Sequence, residues 1–120
     1  MTLKVQGSLL LGLPYQGKLY HQCQVHILTM GLECEVIEVI NALPLKALPE
    51  TKANTLIDLA YLSKQFSVEG IPADVITPEY LLEHLSTDDY ELIMAMISDL
   101  RKKRMLAGES PTQTQNLNQA

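Results

Sequence analysis

The stretch 77–104 constrains the fold most, because it contains two consecutive helix signals. Thr77 followed by Pro78 is typical of a helix start, since the threonine hydroxyl can cap free backbone N–H groups and proline costs nothing at the first helical position. A second helix is predicted to begin at Ser86 or Thr87, with acidic residues in its first turn and basic residues in its last. This order of charges complements the helix dipole. The stretch therefore predicts a short helix followed by a longer one.

The longer helix has an apolar stripe that is wider than a surface helix requires. Two interpretations are open: the stripe is buried in the core of the domain itself, or part of it contacts another protein subunit. We hypothesise a protein-binding role for it. The residues of this stripe are Tyr90, Ile93, Met94, Ile97 and Leu100.

Composition and charge limit the size and the partners of the chain. With 120 residues, 47% of them hydrophobic, one domain with an ordinary core is expected. We predict a single α+β domain over residues 1–106 and a disordered polar tail over 107–120. The net charge of −5 argues against general binding to nucleic acids or anionic membranes. The basic cluster 101–104 is interpreted as helix-end charge, with an RNA or acidic-partner contact as the alternative.

The compartment is predicted from hydropathy and cysteine content. No run approaches the roughly 18–20 apolar residues of a membrane span, and the first 14 residues lack the pattern of a signal peptide. Cys23 and Cys34 without a secretory signal suggest reduced thiols. We therefore expect a cytosolic protein that does not enter a membrane.

Residues 1–28 have the alternating pattern of a β-hairpin. Turn-forming residues occupy 12–17, and odd-numbered apolar residues on either side are predicted to face inward. An isolated two-stranded hairpin is marginally stable, so it should pack on helices or pair with a strand of another subunit.

Residues 31–106 are predicted to be mainly helical. A helix follows residues 29–31, although the β-branched run 36–40 leaves a third strand as the alternative. A second helix is predicted over 51–66, and a turn over 68–72 leads into the opening stretch. The predicted fold class is α+β, with an N-terminal β-hairpin followed by three or four helices.

Four side chains of metal-ligand type lie close together in the sequence, namely His21, Cys23, His26 and Cys34. Strand geometry places His21 and Cys23 on one face and His26 on the other. No pair has the C-x-x-C spacing of a strong zinc signal. We therefore predict no metal site and no cofactor.

The sequence also contains few signs of catalysis. The three histidines stand outside any recognisable Ser, Cys or Asp context, and His84 is interpreted as a surface or packing residue. Asp88 and Asp89 could form a carboxylate pair for acid–base chemistry. At a helix start, however, they are interpreted as capping charges. We predict no catalytic residues and a protein that is not an enzyme.

The order of these features resembles the tail assembly chaperones of long-tailed phages, most closely those of Mu-like phages and prophages. The resemblance covers residues 25–104, about three-quarters of the chain. It is carried by a Glu-rich helix after Thr29-Met30-Gly31, the motif Gly70-Ile71-Pro72, the run Leu81-Leu82-x-x-Leu85-Ser86, the acidic pair Asp88-Asp89, and the sequence from Leu92-Ile93 to Leu100-Arg101-Lys102-Lys103-Arg104.

The resemblance implies a non-enzymatic binding protein of the bacterial host cytoplasm. Such proteins bind the long helical tape measure protein, recruit tail tube subunits and leave before the virion is mature, and we expect self-association as well. Methionines on the last helix suit an adaptable binding surface. Two alternatives from other classes are a structural tail or connector subunit of the phage and a small regulatory nucleic-acid-binding protein that uses residues 101–104.

Overall fold

The chain begins with a long antiparallel hairpin in the computed structural model, which describes residues 4–108. Strand β1 (Lys4–Tyr15) pairs with β2 (Lys18–His26). Gln16 and Gly17 form the turn, with φ angles of 50° and 80°, as in the two-residue turns that match the twist of a hairpin. The hairpin is confirmed, but the turn is shorter than the predicted 12–17, because Leu13, Pro14 and Tyr15 still pair with β2.

A third strand corrects the prediction for the middle of the chain. Strand β3 (Phe66–Val68) pairs antiparallel with β2, so the strand order is β1-β2-β3. The second helix was predicted to reach residue 66, but it ends at Ser63. Phe66 and Val68 are both 3% exposed and point into the core, and Ser67 between them does not. Burial against the helices stabilises this short strand. Its sequence did not predict it, because three residues are too few to show an alternating pattern.

Four α-helices account for most of the remaining described chain, which confirms the predicted α+β class. They are α1 (Met30–Ala42), α2 (Glu50–Ser63), α3 (Pro78–His84) and α4 (Thr87–Gly108). The run 36–40 is therefore helical. Short 3₁₀ turns lie at Leu45–Ala47 and Ala73–Val75. The predicted disorder of the tail concerns residues beyond Gly108, which lie outside the described residues, whereas 107 and 108 belong to α4.

Side-chain caps set the starts of three helices. The Thr29 hydroxyl accepts a hydrogen bond from the Leu32 N–H at 3.2 Å, and Thr77 caps α3 in the same way. For α4 the cap is Ser86, whose Oγ accepts from the Asp89 N–H at 3.1 Å. These bonds satisfy N–H groups that the first turn of a helix leaves without a partner.

The core lies between the sheet and α4, and α2 and α3 close its side. Val25 and Ile93 are fully buried there, and Leu13 from β1 joins them. Only Val36 of α1 is buried, because this helix packs mainly against α2. Half-buried Lys64, directly after α2, forms an ion pair at 3.4 Å with exposed Glu35 of α1.

A bulge interrupts β1. Two leucines of the hairpin that were predicted to face inward are exposed. Ser8 pairs with Gln22 and Leu13 with Tyr20, so four residues of β1 oppose His21 alone. The bulge breaks the inward alternation of odd-numbered residues, and Leu11 is therefore 56% exposed; Leu19 is also exposed, at 59%. Backbone N–H groups of the bulge point at a buried carboxylate of α4, that of Asp89.

Asp89 has a larger role than that of a capping charge. Its side chain is fully buried and accepts hydrogen bonds from the N–H groups of Leu10, Leu11 and Gly12 at 2.6, 3.0 and 3.0 Å. On the other side of the bulge, His21 Nδ1 lies 3.0 Å from the Leu9 carbonyl oxygen. A carbonyl only accepts, so Nδ1 carries the proton. The bulge is thus held from both sides.

Candidate functional site

A groove runs along α2, where first α3 and then α4 lie beside it. It consists of three adjoining depressions with volumes of about 490, 370 and 330 Å³. The first two share Leu82, and the last two share Asp58 and Tyr90. The three depressions therefore adjoin in a row, bordered by residues from Lys52 to Gln65 on one side and from Glu79 to Arg101 on the other, with Pro44 and Leu48 at the end of the first. We call this row the α2 groove.

The floor of the α2 groove is aliphatic and tightly packed. Leu56, Leu59 and Leu62 follow one face of α2 and are 2%, 4% and 2% exposed. Their spacing of three residues places them on the same stripe of the helix. The floor is thus fixed by the core of the domain and does not depend on a partner.

The wall opposite α2 is apolar, and its side chains are partly exposed to solvent. It is formed by Leu82 and Leu85 near α3 and by Tyr90 and Met94 on α4, all of them partly buried. Partly buried leucine, tyrosine and methionine side chains present apolar surface, and methionine adapts its shape readily. From Lys52 to Gln65 the groove is about 20 Å long at the rise of a helix. These dimensions and this lining suit an amphipathic helix laid along the groove.

The predicted binding residues of α4 divide between the core and the groove. Ile93 and Leu100 are 0% and 2% exposed and pack under the sheet. Tyr90, Met94 and Ile97 line the α2 groove, where Ile97 is 8% exposed. The protein-binding role of the stripe stays a prediction, and in this fold it would be carried by Tyr90 and Met94.

Sequence reasoning missed the side of the groove that belongs to α2. Asp58, Tyr61 and Gln65 line it together with the α4 residues. The leucines Leu82 and Leu85 were noted as helical pattern but not as a binding surface. The related signal in the sequence is that the apolar stripe of α4 is wider than a surface helix requires.

The histidines and cysteines considered for metal binding do not converge. Within residues 4–108 no group of three or more His, Cys, Asp or Glu side chains is placed to hold one metal ion. Cys23 is buried and Cys34 is exposed on α1. Burial, together with the nearby Asp89 carboxylate, raises the pKa of the Cys23 thiol to about 11. The Cys23 thiol is therefore neutral at physiological pH. Because only the thiolate is a good nucleophile or metal ligand, Cys23 acts as a core residue.

Asp88, Asp89 and His84 are also separated by the fold. Asp88 is exposed, whereas the Asp89 carboxylate accepts hydrogen bonds from the backbone of the bulge. His84 is exposed, and the centroid of its ring lies 4.8 Å from that of Tyr80 with the two rings tilted by 52°. The Tyr80 hydroxyl donates to the Pro14 carbonyl oxygen at 2.6 Å, and burial raises the pKa of this tyrosine. These contacts tie α3 and α4 to the hairpin.

Three leucines of the hairpin are exposed. Leu10, Leu11 and Leu19 are 66%, 56% and 59% exposed. The bulge turns Leu10 and Leu11 outward while Asp89 holds their backbone in place. The predicted self-association remains a prediction, and these residues are where it can be tested.

Among the helices of residues 4–108, none combines the length and the hydropathy needed to cross a bilayer. No protein-family model matches the chain. Neither a curated protein nor a solved structure resembles it significantly.

Proposed function

We propose that the chain is a tail assembly chaperone of a long-tailed phage, a non-enzymatic protein that binds the helical tape measure protein and recruits tail tube subunits. The α2 groove is the observation that carries this proposal. A chaperone of a long helical client needs an apolar surface that is already formed and accepts a helix. The groove offers a buried aliphatic floor and a partly exposed wall over about 20 Å.

The resemblance of residues 25–104 to the Mu-like family supports the same function. The segments that carry it include the ends of α3 and α4 that form the wall of the groove. As a chaperone, the protein acts in the host cytoplasm and leaves before the particle is complete. The acidic net charge of −5 helps to keep a complex with an apolar client in solution.

The proposal is tested by co-expression with a long helical protein of tape measure type, taken from the same genome region where one is encoded. We expect the long protein to be soluble only together with this chain, and the two to co-elute in size exclusion with light scattering. If the long protein stays insoluble while this chain elutes alone, the chaperone function is wrong.

A matched pair of substitutions on α4 locates the binding surface. Met94 lines the groove, whereas Met105 is 65% exposed on the same helix outside it. We expect Met94→Asp to abolish co-elution and Met105→Asp to leave it unchanged, with both variants retaining the circular dichroism of the parent. Ile93 is unsuitable for this test because it is fully buried and a charge there would unfold the domain. Equal binding by both methionine variants would exclude the groove as the site.

Purified phage particles separate this function from that of a structural tail subunit. A chaperone is absent from the finished particle, whereas a tail or connector subunit is retained. Mass spectrometry of purified particles that detects the chain in stoichiometric amount would replace the chaperone proposal with the structural one.

A further inference from the structure

The charges around the α2 groove are unevenly distributed. Its exposed acidic residues are Glu79 and Glu83 on α3 and Asp58 on α2. Lys52 is the one base that borders the first two depressions, and Arg101 borders the last. The part of the groove next to α3 is therefore an apolar trough with a negative rim.

The carboxylates of this rim are not used within the described part of the chain. None of the three forms an ion pair in residues 4–108, where Lys64 pairs with Glu35 instead. Glu79 and Glu83 are one helical turn apart on α3, so both project along the same edge of the groove. A negative edge beside an apolar floor selects a ligand with positive charge beside its apolar stripe.

We propose that the α2 groove binds an amphipathic helix of about four turns whose apolar stripe is bordered by lysine or arginine. This inference rests on the proposed function, because it names the kind of client segment that the chaperone recognises. The apolar stripe of the client lies on Leu82, Leu85, Tyr90 and Met94. Its basic border faces Glu79, Glu83 and Asp58. The far end, near Arg101, accepts a neutral or acidic turn.

Two synthetic helical peptides test the charge preference directly. Both carry the same leucine stripe, and one has lysine and the other glutamate at the flanking positions. Binding of each fluorescently labelled peptide to the full chain is followed by anisotropy at low and high salt. We expect the lysine peptide to bind about tenfold more tightly at low salt, from three favourable rim contacts, and this ratio to shrink at high salt.

Charge reversal on the protein shows whether the rim causes the preference. Glu79→Lys with Glu83→Lys should remove most of the tenfold ratio. The control is Glu38→Lys with Asp99→Lys, which changes net charge equally at exposed helical positions outside the groove and should keep the ratio. All four positions are exposed, so both variants are expected to fold.

The outcomes separate this inference from the chaperone function. Equal binding of the two peptides, or a preference that survives Glu79→Lys with Glu83→Lys, overturns the charge inference. Failure of both peptides to bind while the long client still co-elutes also overturns it, because the client then binds elsewhere. Failure of the client itself to co-elute overturns the proposed function.

Discussion

The Asp89 carboxylate accepts a hydrogen bond from the Gly12 N–H at 3.0 Å, although 77 residues separate the two in the chain. This bond and those to Leu10 and Leu11 join the first turn of α4 to the bulge of β1. A carboxylate that accepts from several backbone N–H groups replaces the water it loses on burial. This one side chain thus adds a polar link between α4 and the hairpin to the apolar packing of the core.

Asp89→Ala is expected to lower the free energy of unfolding by about 3 kcal/mol or more, because it leaves three N–H groups of the bulge without an acceptor. Asp89→Asn should cost less, since one acceptor oxygen remains. Urea denaturation followed by circular dichroism measures both. The neighbouring Asp88 is exposed, so Asp88→Ala should cost only about 0.3–1 kcal/mol, as loss of a first-turn charge does. Equal losses at the two positions would contradict the structural role of Asp89.

Gly12→Ala is expected to destabilise the protein more than Gly17→Ala. Both glycines have positive φ angles, 84° and 80°, which costs an alanine about 1–2 kcal/mol at either position. At Gly12 an added Cβ would also lie 2.9 Å from the Tyr20 carbonyl oxygen and from His21 Cε1, whereas at Gly17 it meets open space. Thermal unfolding of the two variants side by side gives the comparison. A Gly12→Ala variant as stable as Gly17→Ala would show that the bulge adapts.

The two cysteines are expected to react with a thiol reagent at very different rates. Cys34 is exposed on α1 and should react at once at neutral pH. Cys23 is 5% exposed and its thiol has a pKa of about 11, so it should react only when the domain opens. Absorbance during labelling should therefore show one fast and one slow thiol. Cys34→Ser should remove the fast phase alone, and two fast thiols would contradict burial of Cys23.

The raised pKa of Cys23 predicts a loss of stability in alkali. Between pH 9 and about 11 the unfolded chain releases this proton and the folded chain retains it. The unfolded state then binds fewer protons, so the free energy of unfolding falls as pH rises. The two pKa values set a ceiling of about 2.7 kcal/mol on the loss.

Comparison with Cys23→Ala isolates this thiol from the tyrosines and lysines that titrate in the same range. The alanine variant is less stable at neutral pH, because it lacks a buried sulfur atom, but its stability should decline less steeply from pH 9 to 11. Denaturant titrations at several pH values measure both slopes. Parallel slopes in the two proteins would contradict the assignment to Cys23.

The local elements of this protein were predictable because their signals are local. Thr77 caps the helix that it was expected to begin, and Ser86 is the cap of α4 among the two candidates Ser86 and Thr87, since a cap depends on its own first turn. The first helix begins slightly earlier than expected, because Thr29 is its cap. The hairpin also followed from alternation and turn residues. β3 was not predictable, because pairing with β2 and burial of Phe66 decide it.

The site illustrates the same division. The sequence alone determined that α4 carries an apolar stripe too wide for a simple surface helix. It could not determine that Ile93 faces the sheet while Met94 faces α2, because adjacent residues lie about 100° apart on a helix and the neighbours on each side come from distant parts of the chain. For the same reason the sequence indicated only a capping charge at Asp89. The tertiary structure shows that the bulge of β1 lies against its carboxylate. Helix caps and hydrophobic periodicity depend on residues only a few positions apart. The groove forms only where α2, α3 and α4 meet, and the Asp89 carboxylate finds its partners only where β1 meets α4.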